Sequence, residues 1–451
     1  MSQHNFQLDG NPVSWLPGYP KYWGGELTRI DFKGASTSHH LSLSDDGHLL
    51  SVTVGPDIYV YTVDYPADSQ SESNLKFDIR LKRIFQSKHG EDVEFAEFGP
   101  IVDGAAKVLV SSGGMDDRQK RRRVETVNVW SLDPEGGDDT NIPLAIEAAR
   151  GAVYEVLLQN DTTHNAQWLQ KAQNIVDGFE KVLRIAQPRI DAEKDTVLEG
   201  SVKRRTFSRD GSSLLVFPPH HRPERYVSVV ATDSLREQFR LEGHRDTIIW
   251  AEFSPDNEVI ATSSWDSTVR IWNATSGEPI HVLTGATGQS WNGAFSPDSK
   301  WVAAGDDKAR IWNVQTGELV HTLEGSRSWI RSLAFSPDSQ ALAGGSGEAS
   351  LRIFGVQNGE PLWQWQQDKE DNMNWVGRSE VTDVLYTSRG SVVFGTDGQV
   401  HLLDTETGKM GLFERKESKV GWNSGGNFVV SPDGGYLFTA DFDGSVRVWK
   451  I

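Results

Sequence analysis

The stretch Gly243-His244, Ile248-Ile-Trp-Ala-Glu-Phe253, Ser254-Pro-Asp256, Val259-Ile-Ala-Thr262, Asp266, Val269-Arg-Ile-Trp272 and Ser276-Gly277-Glu278 decides the fold. Three short apolar runs of strand length are separated in it by two tight turns. Ser-Pro-Asp supplies the first turn, because proline presets φ and the aspartate side chain accepts a hydrogen bond from the backbone two residues on. The same phrase returns as Phe295-Ser-Pro-Asp298, Phe335-Ser-Pro-Asp338 and Val430-Ser-Pro-Asp433. A unit that recurs about every forty residues is an architecture in which each copy buries its faces against its neighbours.

Two offsets repeat with it. Asp266 stands six residues before Trp272, as do Asp306 before Trp312, Asp397 before Leu403 and Asp443 before Trp449. A carboxylate held at one turn position accepts otherwise unpaired backbone N–H groups. A glycine then falls five residues after the strand tip, at Gly277, Gly317, Gly359 and Gly408, where a hairpin with positive φ is expected.

These residues resemble the WD-repeat (WD40) β-propeller family, whose marks are a Gly-His pair, a Ser-Pro-Asp-like turn and a Trp-Asp ending. Only the unit at 243–277 carries the pattern throughout. There the resemblance implies a structural hydrogen-bond tetrad of His244, Asp266, Trp272 and either Thr262 or Ser264. The endings read Trp272-Asn273, Trp312-Asn313 and Trp449-Lys450, so the aspartate of the name is missing. No arginine follows them closely, which disfavours the family's ubiquitin-ligase substrate adaptors. The resemblance is strong over 240–451 and weaker upstream.

Weaker copies obey the same grammar: Ser44-Asp-Asp-Gly47 leads to Ile58-Tyr-Val-Tyr61, Phe98-Gly-Pro100 to Val127-Asn-Val-Trp130, Phe207-Ser-Arg-Asp-Gly211 to Tyr226-Val-Ser-Val229, and Tyr386-Thr-Ser388 to Val400-His-Leu-Leu403. The last unit stops at its third strand, Val446-Arg-Val-Trp-Lys-Ile451, and Leu27-Thr-Arg-Ile-Asp-Phe32, with Thr28, Ile30 and Phe32 on one face, is the candidate for its outer strand. The expected fold is therefore all-β: a closed WD-repeat-like β-propeller with an inserted helical hairpin, eight blades favoured and seven the alternative. Residues 1–24 are expected as a tail, and 25–451 as one propeller joined to its N-terminal strand at about 27–32.

The spacing nearly doubles between Trp130 and Phe207. After the acidic Asp133-Pro-Glu-Gly-Gly-Asp-Asp139, the apolar positions Ala145, Ala149, Ala152, Val153, Val156 and Leu157, then Trp168, Ala172, Ile175, Val176, Phe179, Val182 and Leu183, recur at helical period, with Pro188 ending the second run. A largely helical insertion over 133–195, after the second blade, is expected either to pack on the propeller rim or to contact a partner, self-association included. The run Arg118-Gln-Lys-Arg-Arg-Arg123 is a solvated loop or a nuclear import signal. The expected location is cytoplasmic, with the nucleus open to the chain through that run.

Forty-five basic and sixty-three acidic residues give a net charge of −18, which argues against direct nucleic-acid binding and against anionic membranes. No cysteine is present, which excludes disulfides, thiolate metal sites and cysteine nucleophiles. The start, Met1-Ser-Gln-His-Asn-Phe-Gln-Leu-Asp-Gly10, lacks the apolar core of a secretory signal. No Gly-x-Ser-x-Gly elbow, phosphate loop or spaced metal set is found; His39-His40 and His220-His221 are adjacent pairs that point to opposite strand faces. No cofactor is expected.

What breaks the repetition is aromatic. Trp265 and Phe442 each stand immediately before a turn aspartate, and Trp291, Trp329 and Arg331 lie where the chain enters an innermost strand. By the resemblance these positions fall on the central binding face, and aromatic and arginine side chains there are hot-spot material. Trp250, in mid-strand, is expected in the core. The expected function is a non-enzymatic scaffold that binds a peptide or protein on this face, with the insertion as a second contact. The alternative is a small-molecule-binding or enzymatic propeller with a pocket at the channel mouth.

Overall fold

The computed structural model describes residues 5–8, 11–14, 26–32, 40–66, 77–86, 92–117, 122–132, 197–219, 224–366, 380–396, 399–413, 427–441 and 444–451. Eight antiparallel sheets follow one another along the chain, beside two small hairpins. Blade 1 comprises Leu41–Leu43, Leu49–Val54, Asp57–Asp64 and Asp78–Gln86. Blade 2 comprises Asp92–Phe98, Val108–Asp117, Arg122–Ser131 and Val197–Glu199, so residues 133–196 run between its third and fourth strands. Blade 3 has Ser213–Val216, Tyr226–Ala231 and Glu237–Glu242, with an inner segment tied on by the bridges Ser201 to Phe217 and Phe207 to Leu214.

Blade 4 (Ile248–Phe253, Val259–Ser264, Val269–Asn273, Pro279–Leu283), blade 5 (Asn292–Phe295, Trp301–Gly305, Ala309–Asn313, Leu319–Leu323) and blade 6 (Ile330–Phe335, Ala341–Ser346, Ser350–Gly355, Pro361–Gln366) are the most regular. Blade 7 runs Val381–Tyr386, Val392–Thr396, Gln399–Leu403 and Met410–Leu412. Blade 8 takes Phe428–Val430, Tyr436–Asp441 and Ser445–Lys450 from the end of the chain and Glu26–Asp31 from its start. Among the described residues the count is eight, with the four strands between Leu41 and Gln86 making a full blade.

Second strands such as Val259–Ser264 are buried almost throughout. Alternation fails there because each sheet is covered on both faces, as a stacked blade must be. Eight apolar clusters fill the seams among the described residues, and each draws on two blades. One of them joins Leu50, Val52 and Tyr59 of blade 1 to Phe438, Val446 and Val448 of blade 8. First strands of neighbouring blades lie side by side, which makes them the innermost strands.

The repeated turns hold the blades in register. Each Ser-Pro-Asp aspartate accepts from the backbone two residues on, as in Glu258 N to Asp256 Oδ1 at 3.1 Å and Gln340 N to Asp338 Oδ1 at 3.0 Å. The next residue adopts a left-handed conformation, with φ of 62° at Asn257, 60° at Ser299 and 61° at Ser339. Its side chain thereby reaches the preceding blade: Arg209 N donates to Asn257 Oδ1, Asp256 N to Ser299 Oγ and Asp298 N to Ser339 Oγ. A turn residue thus becomes an inter-blade tie.

Two parts of the expected fold class are corrected. Among the described residues every regular element is a strand and none is a helix, whereas a helical hairpin was expected. The insertion expected over 133–195 lies outside the described residues, and no helical hairpin belongs to the fold they form. Closure is the second correction. The connections at 87–91, 133–196, 367–379 and 414–426 lie outside the described residues, so the fold is stated as eight blades with apolar contacts between neighbours, and the expected closure is not carried into it.

Candidate interaction face

In blade 4 the side chains of His244, Thr262, Asp266 and Trp272 form one chain of hydrogen bonds. Trp272 Nε1 donates to Thr262 Oγ1 at 2.9 Å, Thr262 Oγ1 stands 2.7 Å from His244 Nε2, and His244 Nδ1 stands 2.9 Å from Asp266 Oδ2. All donors and acceptors match if the imidazole is neutral, with its proton on Nδ1. Burial lowers the His244 pKa against the raising effect of Asp266. Ser264 stands aside: its hydroxyl donates to Asp246 O and accepts from Asp266 N. Burial pushes the Asp266 carboxyl up, but bonds from Thr268, Arg245 N and His244 outweigh it and hold the group at about 2.

Blades 5 and 6 lack the histidine and hold the turn carboxylate by arginine. Arg310 Nη1 donates to Asp306 Oδ1 at 2.5 Å in a fully buried pair, and Asp306 also accepts from Thr287 N, Gly288 N and Lys308 N. In blade 6 Arg352 Nη1 lies 3.1 Å from Glu348 Oε1, which also accepts from Arg327 N. Each arginine stands four residues after its carboxylate, a spacing present in the sequence. These bonds tie the turns to the loops that bear the tryptophans, Asp306 to Thr287 and Gly288 ahead of Trp291 and Glu348 to Arg327 ahead of Trp329.

Trp265, from the turn of blade 4, meets Trp291, which leads into the inner strand of blade 5, with ring centroids 5.3 Å apart. Trp291 stacks on Trp329 of blade 6 at 5.5 Å and 28°. Backbone bonds fix their positions: Trp265 N to Thr247 O, Trp291 N to Gly305 O, and Gly347 N to Trp329 O. Trp329 is 45% exposed, which is unusual for so large an apolar ring in a chain with an extensive core. Arg331 lies over the rings of Trp291 and Trp329 and pairs with Glu380 of blade 7. Four of the five sequence candidates, Trp265, Trp291, Trp329 and Arg331, are thus contiguous, and Phe442 lies outside the described residues. Trp250 packs instead against Gly293 and Phe295 of the next blade.

A second polar cluster lies among the innermost strands. Arg204 of blade 3 pairs with Asp383 of blade 7 at 2.5 Å across 179 residues, and Arg205 pairs with Glu252 of blade 4 at 3.1 Å. Lys203 donates to Ile249 O, and burial pulls its amine down to about 8. Burial, with help from the Arg204 charge, holds the His40 imidazole at about 3 and hence neutral. Glu97 accepts from Arg205 N and Thr206 N, yet burial pushes its carboxyl up to about 7. Such a group is protonated more readily in the fold than in the unfolded chain, so its contribution to stability falls as pH rises from 4.5 to about 7. Glu97→Gln is therefore expected to flatten the decline in denaturant midpoint between about pH 5 and pH 8, by about 1–3 kcal/mol relative to wild type. Parallel profiles for the two proteins would contradict this placement of Glu97.

Sequence reasoning missed Glu380, Glu97 and Asp383, which sit outside the repeat grammar. The run Lys203-Arg204-Arg205 was a signal, being basic where an innermost strand should be apolar. Among the described residues no cluster of three or more His, Asp and Glu is placed to hold a metal ion. A cavity between blades 5 and 6 is lined mainly by Ala309, Leu323, Ile330, Leu333, Leu342 and Phe354.

Comparison with known proteins agrees with this architecture. The WD domain, G-beta repeat family matches residues 235–273, 277–313, 317–354 and 422–450. Each of the first three matches takes the outer strand of one blade and three strands of the next, so the sequence repeat staples neighbouring sheets together. The WD repeat-containing protein SL1-17 of Schistosoma mansoni is 25% identical over 215 residues, 47% of this chain and 54% of the relative. Protein tipD of Dictyostelium discoideum is 26% identical over 231 residues, 50% of this chain and 36% of the relative. Ribosome assembly protein 4 of Chaetomium thermophilum is 41% identical over 64 residues, 14% of this chain and 12% of the relative. The matches thus span about half of SL1-17 and less of the others. The chain thus carries WD repeats in four places, set in an eight-bladed propeller architecture among the described residues.

Proposed function

We propose that this WD-repeat chain is a scaffold that binds a peptide or protein segment on the face formed by Trp265, Trp291, Trp329 and Arg331. The observation that carries the proposal is the contact of three indoles from three different blades, one of them 45% exposed. Aromatic anchors held in fixed register lose little conformational freedom on binding, so most of their contact energy is kept. Among relatives, one is named for ribosome assembly, which is consistent with a role in holding assemblies together.

A catalytic or small-molecule role for the polar cluster of the innermost strands has less to carry it. Its charged groups are already engaged with one another, Arg204 with Asp383, Arg205 with Glu252, and Glu97 with two backbone N–H groups. Affinity capture with the intact chain beside Trp265→Ala/Trp329→Ala is the test. Loss of captured proteins with the double variant, at unchanged melting temperature, is expected. An unchanged set would refute the face, and loss only on deleting 140–190 would move recognition to that segment.

A further inference from the structure

Among the interactions on this face, the position of Arg331 is the one that points to a ligand. Its Cζ lies 5.0 Å from the Trp291 ring centroid and 5.5 Å from that of Trp329, while Nη2 stands 3.0 Å from Glu380 Oε1. Two π faces and a carboxylate around one charged group are the elements of a cation-binding site, since the ring quadrupole attracts positive charge most strongly where water is partly excluded. The occupant here belongs to the chain itself. It is held loosely for a guanidinium, which has five N–H donors: Nη2 reaches a single carboxylate oxygen, and the buried Nε finds no partner. Both Arg331 and Glu380 remain reachable from solvent, at 24% and 23% side-chain exposure.

The surroundings decide the sign of the partner. Glu380 already neutralises Arg331, so an incoming carboxylate would have to break that pair and face the freed glutamate. An incoming cation meets the reverse: two ring faces, Glu380, and a chain of net charge −18 that steers positive ligands toward it. We infer that the Trp291, Trp329 and Glu380 site takes a guanidinium or ammonium side chain from a basic peptide, and that Arg331 is a resident cation which the ligand displaces. The inference rests on the proposal that this face binds a peptide, and it names the chemistry of what is bound. Arg331 acts as a competitor inside the chain, so affinity is set by the difference between two cations in one site.

The sign of one substitution tests it. Fluorescence anisotropy of a labelled arginine hexapeptide, read at about 0.15 M salt to suppress long-range attraction, is the measurement, with an oligoglutamate peptide as the counterpart. Arg331→Gln, which empties the site, is expected to tighten the arginine peptide by roughly three- to tenfold. Trp329→Leu, which keeps apolar bulk but removes the π face, is expected to weaken it by about tenfold or more. Glu380→Gln should weaken it as well. Weaker binding by Arg331→Gln, or preference for the acidic peptide, would overturn the inference and make Arg331 the anchor for an anion. Equal affinity in all variants would also overturn it, by showing that the peptide binds elsewhere on an acidic surface. In either failure, loss of partners by Trp265→Ala/Trp329→Ala would still leave the scaffold function standing.

Discussion

Asp306→Ala is expected to destabilise the protein by about 3–5 kcal/mol, the largest effect of any single substitution considered. The change removes the acceptor of Thr287 N, Gly288 N and Lys308 N and strands the Arg310 guanidinium in a site where its side chain is 4% exposed. An uncompensated buried charge and three unpaired donors each carry a desolvation cost. Arg310→Met should cost less, because the carboxylate left behind still accepts three backbone bonds. The double variant Asp306→Ala/Arg310→Met separates the two contributions: it should regain the cost of the stranded charge but not that of the donors. Denaturant midpoints for the three variants give the order directly. An Arg310→Met variant as damaged as Asp306→Ala would show that the ion pair, rather than the cap, carries the stability.

Removal of residues 1–34 is expected to give insoluble or strongly destabilised protein. The strand Glu26–Asp31 pairs with Ser445–Lys450 in register, Thr28 opposite Val448 and Ile30 opposite Val446, and Phe32 N donates to Gly444 O. Leu27, Ile30 and Phe32 also cover the cluster between blades 8 and 1, with Phe32 edge-on to Tyr59 at 5.1 Å. Deletion would leave an apolar edge strand open to pairing with other chains. A truncated chain that melts cooperatively at the wild-type temperature would contradict this role.

Much of this was legible in the residues, for local reasons. The turn chemistry of Ser-Pro-Asp and the chain of His244, Thr262, Asp266 and Trp272 depend on short spacings that a sequence displays. The strand at 27–32 was readable from its apolar period, but its face was not. A bulge between Glu26 and Thr28 shifts the register, and Leu27 packs on the same cluster as Ile30 and Phe32. Thr262 and Ser264 were indistinguishable as tetrad members, because both are hydroxyls near the tip of one strand; only their partners separate them. The meeting of Arg204 with Asp383 was illegible, since blade packing brings together residues that no periodicity relates. Arg310 and Arg352 stand four residues after the turn carboxylates they hold, but Arg270 stands at the same offset from Asp266 in the blade that has His244, so packing and not spacing assigns the role.

The tryptophan face had a clearer signal than the polar cluster of the innermost strands, because aromatic residues at loop offsets stand out against a repeat whose grammar does not need them. The helical period of 145–183 was a real pattern in the sequence, but amphipathic periodicity alone did not establish an element of the described fold.

A crystal structure of the intact chain is the most direct measurement of the central claim, that eight blades bring Trp265, Trp291 and Trp329 together on one face. The account predicts eight sheets, Thr28 beside Val448, and the three indoles in mutual contact beside Arg331 and Glu380. Seven sheets with residues 41–86 folded apart from them, or a Trp329 separated from Trp291, would contradict it.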